Sequence, residues 1–295
     1  MKSKILSSVV LSLVASTSFA QEKGFTKLPN SCLEYKIVKD APGTKKAVEG
    51  SVITMHIRTM VNDSSLFDSY KMNNNEPVPA QVTKPTFNGD VMEGIAMLTA
   101  GDSAVFRAPT DSVFRGGQMP PFVKSGEKVT FQVKMVTVKT KAEYDQEQAN
   151  AASKQMAIDD KAIQDYLKAK NLKATKTASG LYYVITQKGT GDNAKAGQKV
   201  NMNYTGTLID GTPFDSNVDP KFSHVQPFEF GLGAGQVIKG WDEGIALLNK
   251  GAKATLIIPA PLAYGSRAMP GNQNNPKGIP ANSILIFDVE LMDMK

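Results

Sequence analysis

The stretch that decides the fold reads VNMNYTGTLIDGTPFDSN at 200–217, PFEFGLGAGQVIKGWDEGIALLNKGAKATLIIPAPLAYG at 227–265 and GIPANSILIFDVELM at 278–292. Short runs rich in Val, Ile, Tyr and Thr alternate here with Gly, Asp, Asn and Pro, which is typical of antiparallel strands joined by turns. Five strands are predicted: LYYVIT, KVNMNYTGTL, PFEFGL, KATLIIPA and ILIFDVEL. WDEGIALLN is the one helical segment among them. The pattern predicts a sheet that packs on one short helix.

This stretch is rich in aromatic side chains and lacks a nucleophile–base pair or a metal-ligand cluster. The aromatic residues are Tyr204, Phe214, Phe228, Phe230, Trp241, Tyr264 and Phe287. The chain has two histidines, too few for a histidine-based triad or zinc site. GLGAGQ lacks the glycine spacing and the lysine of a phosphate-binding loop. We therefore expect a dry aromatic pocket rather than a nucleotide or metal site.

Five pieces in order, YTG, G-x-x-FD, GQVIKGW-x-EG, P-x-x-x-AYG and FDVEL, resemble the FKBP-type peptidyl-prolyl cis-trans isomerases. The resemblance implies an α+β fold in which a curved antiparallel sheet wraps on a short helix. It also implies rotation about X–Pro bonds without a cofactor, a metal or a covalent intermediate. The expected substrates are unfolded or partly folded proline-containing proteins.

The resemblance also assigns roles to individual residues. Trp241 is the expected floor of the pocket, while the Ile238 N–H and the Tyr264 hydroxyl would hold substrate carbonyls. Asp215 would place a carboxylate near the twisting carbonyl, and Ile279 would close the rim. The implied catalytic residues are Asp215, Tyr264, Ile238, Trp241 and Phe287. The implied substrate-binding residues are Tyr204, Phe214, Phe228, Val237 and Ile279.

The N-terminal half repeats this pattern. SCLEYKIVKDAPGTKKAVEGSV at 31–52 parallels SGLYYVITQKGTGDNAKAGQKV at 179–200, and FDS, EGIA and FQV segments follow in the same order. The first copy has His56 for Tyr204, Val91 for Trp241 and Phe114 for Tyr264, and it lacks GAGQVIKG. We therefore expect a degenerate, inactive FKBP-like domain at 31–139 and an isomerase domain at 175–295.

Residues 140–174 join the copies and contain no proline or glycine, which predicts a helical linker. Met156, Ile163 and Leu167 recur near one face, and Asp159 and Asp160 could start a second helical segment. The apolar stripe could pack on a domain or pair two chains as a homodimer.

The first 20 residues have the charged start, short apolar run and small-residue end of a secretory signal peptide. Export is therefore expected, with the periplasm as the compartment. No later run is long and apolar enough for a membrane span. The net charge of +6 is spread along the chain, which argues against nucleic-acid binding. Two other functions stay open: a holding chaperone that binds proline-containing segments with little isomerase activity, and a structural dimer arm.

Overall fold

A computed structural model describes residues 24–43, 45–73 and 75–295. The chain divides between residues 145 and 146 into two compact units. Each unit contains an antiparallel sheet and few helices, so the predicted α+β class is confirmed. The predicted signal peptide lies outside the described residues.

The first unit has the strands β1 (Thr26–Lys27), β2 (Glu34–Lys39), β3 (Val52–Val61), β4 (Ser64–Asp68), β5 (Val78–Gln81), β6 (Ser103–Pro109) and β7 (Lys128–Lys139). They form one seven-stranded sheet in the order β1-β2-β6-β7-β3-β4, with β5 paired to β3. Its helices are α1 (Ser69–Met72), α2 (Val91–Ile95) and α3 (Thr110–Val113). Its core contains Ile53, Ile95 and Phe106, all fully buried.

The linker is one continuous helix, α4 (Lys141–Ala169), of 29 residues. A capping box starts it: the Thr140 N–H donates to Glu143 Oε2 at 2.7 Å, and the Glu143 N–H donates to Thr140 Oγ1 at 3.2 Å. The idea that Asp159 starts a second segment is wrong. Its side chain instead accepts a hydrogen bond from the Ala260 N–H at 2.7 Å.

The second half of α4 packs on the sheet of the second unit. Ile163 is fully buried and Leu167 is nearly so, in a cluster with Tyr182, Ile257 and Ile286. The apolar stripe predicted from the sequence therefore contacts a domain of its own chain. Homodimer formation through this helix stays a prediction.

The second unit has the strands β8 (Thr175–Lys176), β9 (Tyr182–Gln187), β10 (Thr190–Asn193), β11 (Lys199–Leu208), β12 (Pro213–Ser216), β13 (Phe228–Gly231), β14 (Asn249–Lys250), β15 (Lys253–Ile258) and β16 (Leu285–Met294). Seven of them form a sheet in the order β12-β11-β16-β15-β9-β8, with β13 paired to β11, and β10 pairs separately with β14. All five predicted strands are present. Four further strands, β8, β10, β12 and β14, were not predicted, because they are only two to four residues long.

One short helix, α5 (Lys239–Ile245), lies against this sheet at close range. A Cβ atom on Gly240 would lie 2.4 Å from Ile258 Cγ2, and one on Gly244 would lie 2.7 Å from Leu256 Cδ1. Only glycine allows this approach, since a methyl group at either position would overlap the sheet. The approach buries Trp241 to 4% exposure between helix and sheet.

The strand register shows that Ile57, and not His56 as predicted, is the counterpart of Tyr204 in the first copy. Tyr204 pairs with Val289, and Ile57 pairs with Val133, the residues that end the matched FDV and FQV segments. Ile57 therefore occupies the position of Tyr204, and His56 points to the opposite face of the sheet. The loop before β3 is one residue longer than its counterpart, and a shift of one residue exchanges the two faces of a strand.

Candidate active site

A cavity of about 300 Å³ lies between α5 and the sheet of the second unit. Its walls are Tyr204, Phe214, Asp215, Phe228, Gln236, Val237, Ile238, Trp241, Tyr264 and Phe287. The structure thus brings together every predicted site residue except Ile279. Their roles in binding and catalysis stay predictions.

Trp241 lies at the centre of the aromatic residues. Its ring centroid is 5.2 Å from that of Tyr204 and 5.1 Å from that of Phe287, each at an interplanar angle of 82°. Edge-to-face packing of this kind is favourable and fixes the orientation of the rings. The buried indole N–H has no hydrogen-bond partner among the described residues. Trp241 therefore presents a rigid, largely apolar surface to the cavity.

Phe228 and Phe230 lie on the same strand but differ in exposure. Phe228 is 39% exposed and lines the cavity, whereas Phe230 is 4% exposed and belongs to the core. Their rings stack with centroids 5.5 Å apart. Phe230 was not predicted to have a role at the site, and its side chain does not line the cavity.

Gly206, in the YTG segment, makes room for two of the walls. A Cβ atom there would lie 2.6 Å from the Phe214 ring and 2.8 Å from the Phe287 ring. The two rings pack edge to face across this point, with centroids 5.4 Å apart. The glycine is needed for side-chain packing rather than for a turn.

Three hydrogen bonds hold the Asp215 carboxylate. The Tyr204 hydroxyl donates to Oδ2 at 2.7 Å, and the Ser216 N–H donates to Oδ1 at 2.9 Å. His224 Nε2 lies 2.8 Å from the same Oδ1. Sequence reasoning missed His224, because a histidine in a surface loop nine residues away gives no signal of this contact.

The environment keeps the two site tyrosines protonated. Burial raises the pKa of Tyr204, and its hydrogen bond to Asp215 raises it further. Burial, followed by the negative charge of Asp215, raises the pKa of Tyr264. Because the Tyr204 hydroxyl donates to Asp215, the Tyr264 hydroxyl is the phenolic donor left to contact a ligand.

The loop between β13 and α5 forms the wall that the first copy lacks. Gln236 Oε1 accepts from the Gly231 N–H at 2.9 Å, and Asp242 Oδ1 accepts from the Gly233 N–H at 2.8 Å. The loop ends at Ile238, the N-cap of α5, whose N–H donates to no other described residue. Gln236 lines the cavity and was not anticipated.

Asn217 fixes the opposite rim. Its buried side chain accepts from the Tyr204 N–H at 2.7 Å and donates to the Met202 and Gln226 carbonyls at 2.9 and 2.8 Å. These bonds close the loop that carries His224. Asn217 was not predicted as a site residue either, because an asparagine after FDS has no distinctive pattern.

Ile279 was predicted to close the rim, and it is not among the residues that line the cavity. It is 7% exposed, and its backbone pairs with Met269 through hydrogen bonds of 2.8 and 3.0 Å. This bridge closes the base of the loop 266–278. The role of Ile279 at the rim stays a prediction.

The corresponding part of the first copy is arranged differently. The carboxylate of Asp68 forms an ion pair with Arg58 at 3.1 Å, on the face of the sheet that carries His56. Asn88, in the short segment before α2, accepts a hydrogen bond from the Cys32 N–H at 2.6 Å. The first copy therefore lacks both the aromatic floor and the inward carboxylate.

The described part of the chain contains neither a metal-binding cluster nor a helix that could span a membrane. No group of three or more His, Cys, Asp or Glu side chains there is placed to hold a metal ion. None of its helices is long and apolar enough to cross a membrane.

Comparison with known proteins follows the same division of the chain. A family model described as FKBP-type peptidyl-prolyl cis-trans isomerase matches residues 43–136 and 191–292. Peptidyl-prolyl cis-trans isomerase Fkbp12 of Drosophila melanogaster is 52% identical over 101 residues, 34% of this chain and 84% of the relative. FK506-binding protein 4 of Rhizopus delemar is 47% identical over 123 residues, 42% of this chain and 29% of the relative.

The chain thus spans less than a third of the length of that Rhizopus relative. Among solved structures, FkpA from Escherichia coli is 35% identical with a TM-score of 0.39, covering 52% of this chain and 67% of that one. AtFKBP13 is also 35% identical, with a TM-score of 0.37, and covers 42% of this chain and 99% of that one.

Proposed function

Because the chain belongs to the FKBP-type peptidyl-prolyl cis-trans isomerase family, we propose that its second unit catalyses rotation about X–Pro bonds in polypeptides. The observation that carries the proposal is the cavity in which Trp241 packs between Tyr204 and Phe287 beside Asp215. At about 300 Å³ it lies at the lower end of the range of small-molecule pockets. A prolyl ring is a compact apolar group that suits its aromatic walls.

Rotation about an X–Pro bond requires no proton transfer and no cleavage of a covalent bond. Rotation breaks the partial double-bond character of the amide, with a barrier of about 18–20 kcal/mol. Water favours the planar, charge-separated amide, so transfer to an apolar cavity weakens that preference and favours the twisted state. Each reduction of about 1.4 kcal/mol in the barrier gives a tenfold faster rotation.

Polar groups at the edge of the cavity would orient the substrate. The Ile238 N–H and the Tyr264 hydroxyl are donors without a partner among the described residues, which suits them to hold substrate carbonyls. Asp215 is fixed by Tyr204 and His224, so its charge has a defined position near the bound amide. Fixed groups stabilise a transition state at a lower reorganisation cost than mobile ones.

A protease-coupled assay on a short X–Pro peptide tests this function. The full chain should accelerate isomerisation, and FK506, suggested by the names of the relatives, should compete for the cavity. Absence of acceleration with folded protein would overturn the isomerase proposal. Acceleration that survives saturating FK506 would place the activity at another site.

Unfolded or partly folded exported proteins are the proposed substrates, and the periplasm is the proposed compartment. Support comes from the signal-like first 20 residues. Mass spectrometry of protein from its native host should find the mature chain starting at Gln21. A chain that starts at Met1 would contradict export.

We propose that the first copy has a surface that binds unfolded chains. The protein would then combine a holding chaperone in its first copy with an isomerase in its second unit. The first copy exposes several apolar side chains, among them Val38 at 62%, Val48 at 59% and Phe122 at 49%. An Asp215→Ala variant should then lose peptide turnover yet still suppress aggregation of an unfolded protein. Loss of both activities together would contradict separate roles for the two copies.

A further inference from the structure

A second cavity, of about 400 Å³, adjoins the proline pocket within residues 146–295. One wall is the first half of α4, with Gln148, Ala151 and Gln155, and the other carries Tyr264, Arg267 and Asn282. We call this cavity the helix groove. Tyr264 lines both the proline pocket and the groove, so the two cavities meet at this one side chain.

The groove results from the way α4 is anchored. Residues at intervals of four, Gln155, Asp159, Ile163 and Leu167, lie along one face of a helix. Ile163 and Leu167 pack on the sheet, and Asp159 holds the Ala260 N–H at 2.7 Å. Beyond this anchor the same face continues through Gln155 to Gln148 and lines the open groove. The groove wall is therefore a fixed helix.

The groove offers groups that suit a polypeptide backbone. Ala151 is small enough to allow close approach, while Gln148 and Asn282 carry both amide donors and acceptors. Arg267 is the one charged residue among the lining side chains, and its guanidinium has no partner among the described residues. The groove therefore favours carbonyl groups and a carboxylate.

Resting on the isomerase function proposed above, we propose that the helix groove binds the substrate segment that flanks the proline. A polypeptide with its proline beside Trp241 continues over Tyr264 and lies along α4. An acidic residue a few positions from the proline then pairs with Arg267. The linker helix becomes part of the substrate site and gives the enzyme a sequence preference outside the X–Pro dipeptide.

Two substitutions on α4 test the groove. Ala151→Phe fills it, whereas Ala157→Phe adds the same ring to an exposed position on the opposite helical face and serves as the control. Each full-length variant is assayed with a four-residue proline peptide and with a twelve-residue peptide that carries an acidic flank. Ala151→Phe should lower kcat/KM for the long peptide about fivefold and leave that for the short peptide unchanged. Unchanged turnover of the long peptide would overturn the proposal.

A charge reversal tests the acidic preference. Arg267→Glu should lower the affinity for the acidic-flank peptide and raise that for a lysine-flank peptide, each about two- to fivefold, as expected for a partly exposed ion pair. Fluorescence anisotropy measures both affinities without turnover. If the isomerase function fails, the peptides bind but are not isomerised. If wild type, Ala151→Phe and Arg267→Glu bind all peptides with equal affinity, the proposal that the groove binds the flanking segment is refuted, and the isomerase proposal is unaffected.

Discussion

The buried carboxylate of Asp159 accepts a hydrogen bond of 2.7 Å from the backbone N–H of Ala260, 101 residues later in the chain. Ala260 starts the turn that leads to Tyr264, and its own carbonyl accepts from the Gly265 N–H at 2.8 Å. One side chain of the linker helix thus fixes the start of the segment that carries a site tyrosine.

Removal of this carboxylate should cost stability. Asp159→Ala leaves the buried Ala260 N–H without an acceptor, so we expect a loss of about 1–3 kcal/mol in the free energy of unfolding. Asp159→Asn keeps an acceptor of similar shape and should retain most of the stability. Urea denaturation followed by circular dichroism measures both. Equal stability of the alanine variant and the wild type would mean that the bond contributes nothing net.

The same residue should give stability a pH dependence. Burial raises the pKa of the Asp159 carboxyl, so the folded state binds its proton more tightly than the unfolded state, where the pKa is about 3.9. Protonated Asp159 therefore contributes to the free energy of unfolding at pH values below the pKa of the unfolded state. This contribution is lost as pH rises through the pKa that Asp159 has in the folded state. Asparagine cannot ionise. The stability of Asp159→Asn relative to wild type should accordingly increase as pH rises across this window.

Urea denaturation of both proteins at a series of pH values measures that difference. Other titrating groups are common to the two proteins and cancel. A difference that does not change with pH, or that changes in the opposite direction, would contradict the raised pKa.

Two pocket substitutions should slow isomerisation more than tenfold. Asp215→Ala removes the carboxylate held by Tyr204 and His224, and Phe287→Ala opens a wall. Phe287 is 5% exposed, so its truncation should also cost about 3–5 kcal/mol of stability. The rates of folded protein are compared in the peptide assay. Asp192→Ala, which removes a carboxylate 85% exposed and outside the pocket, is the control.

Gly206→Ala should deform the pocket from within. The added methyl group meets the rings of Phe214 and Phe287, and overpacking of this kind costs about 1–3 kcal/mol. Slower isomerisation and a lower melting temperature are expected together. At Gly116 an added Cβ meets nothing within 4 Å, so Gly116→Ala is the matched control. A Gly206→Ala protein with unchanged melting temperature would show that the rings can move apart freely.

The isomerase fragment should need its linker helix. Residues 175–295, the domain predicted from the sequence, lack Ile163 and Leu167, which cover part of the sheet. Full burial of such side chains is worth about 1.5–3 kcal/mol each. Residues 141–295 should therefore unfold at a higher urea concentration than residues 175–295. Equal midpoints would show that the helix adds no stability to the domain.

The family, the duplication and the composition of the pocket can be predicted from the order of residue types along the chain. Aromatic residues at set spacings, such as Tyr204, Trp241 and Phe287, are a pattern of residue types, and turn residues between β-branched runs encode the strands locally. The linker helix was also predictable, because helix propensity is a local property. Its continuity through Asp159 was not, because an aspartate is equally suited to cap a helix or to accept a distant hydrogen bond.

Tertiary structure decided the contacts between residues far apart in the chain. Ile279 pairs with Met269 across a loop, and the Asp215 carboxylate contacts His224 of another surface loop. The face to which His56 points depends on one additional residue in the preceding loop, since strand register is set by pairing rather than by spacing along the chain. The attachment of α4 to Ala260, and with it the helix groove, exists only because folding brings positions 159 and 260 together.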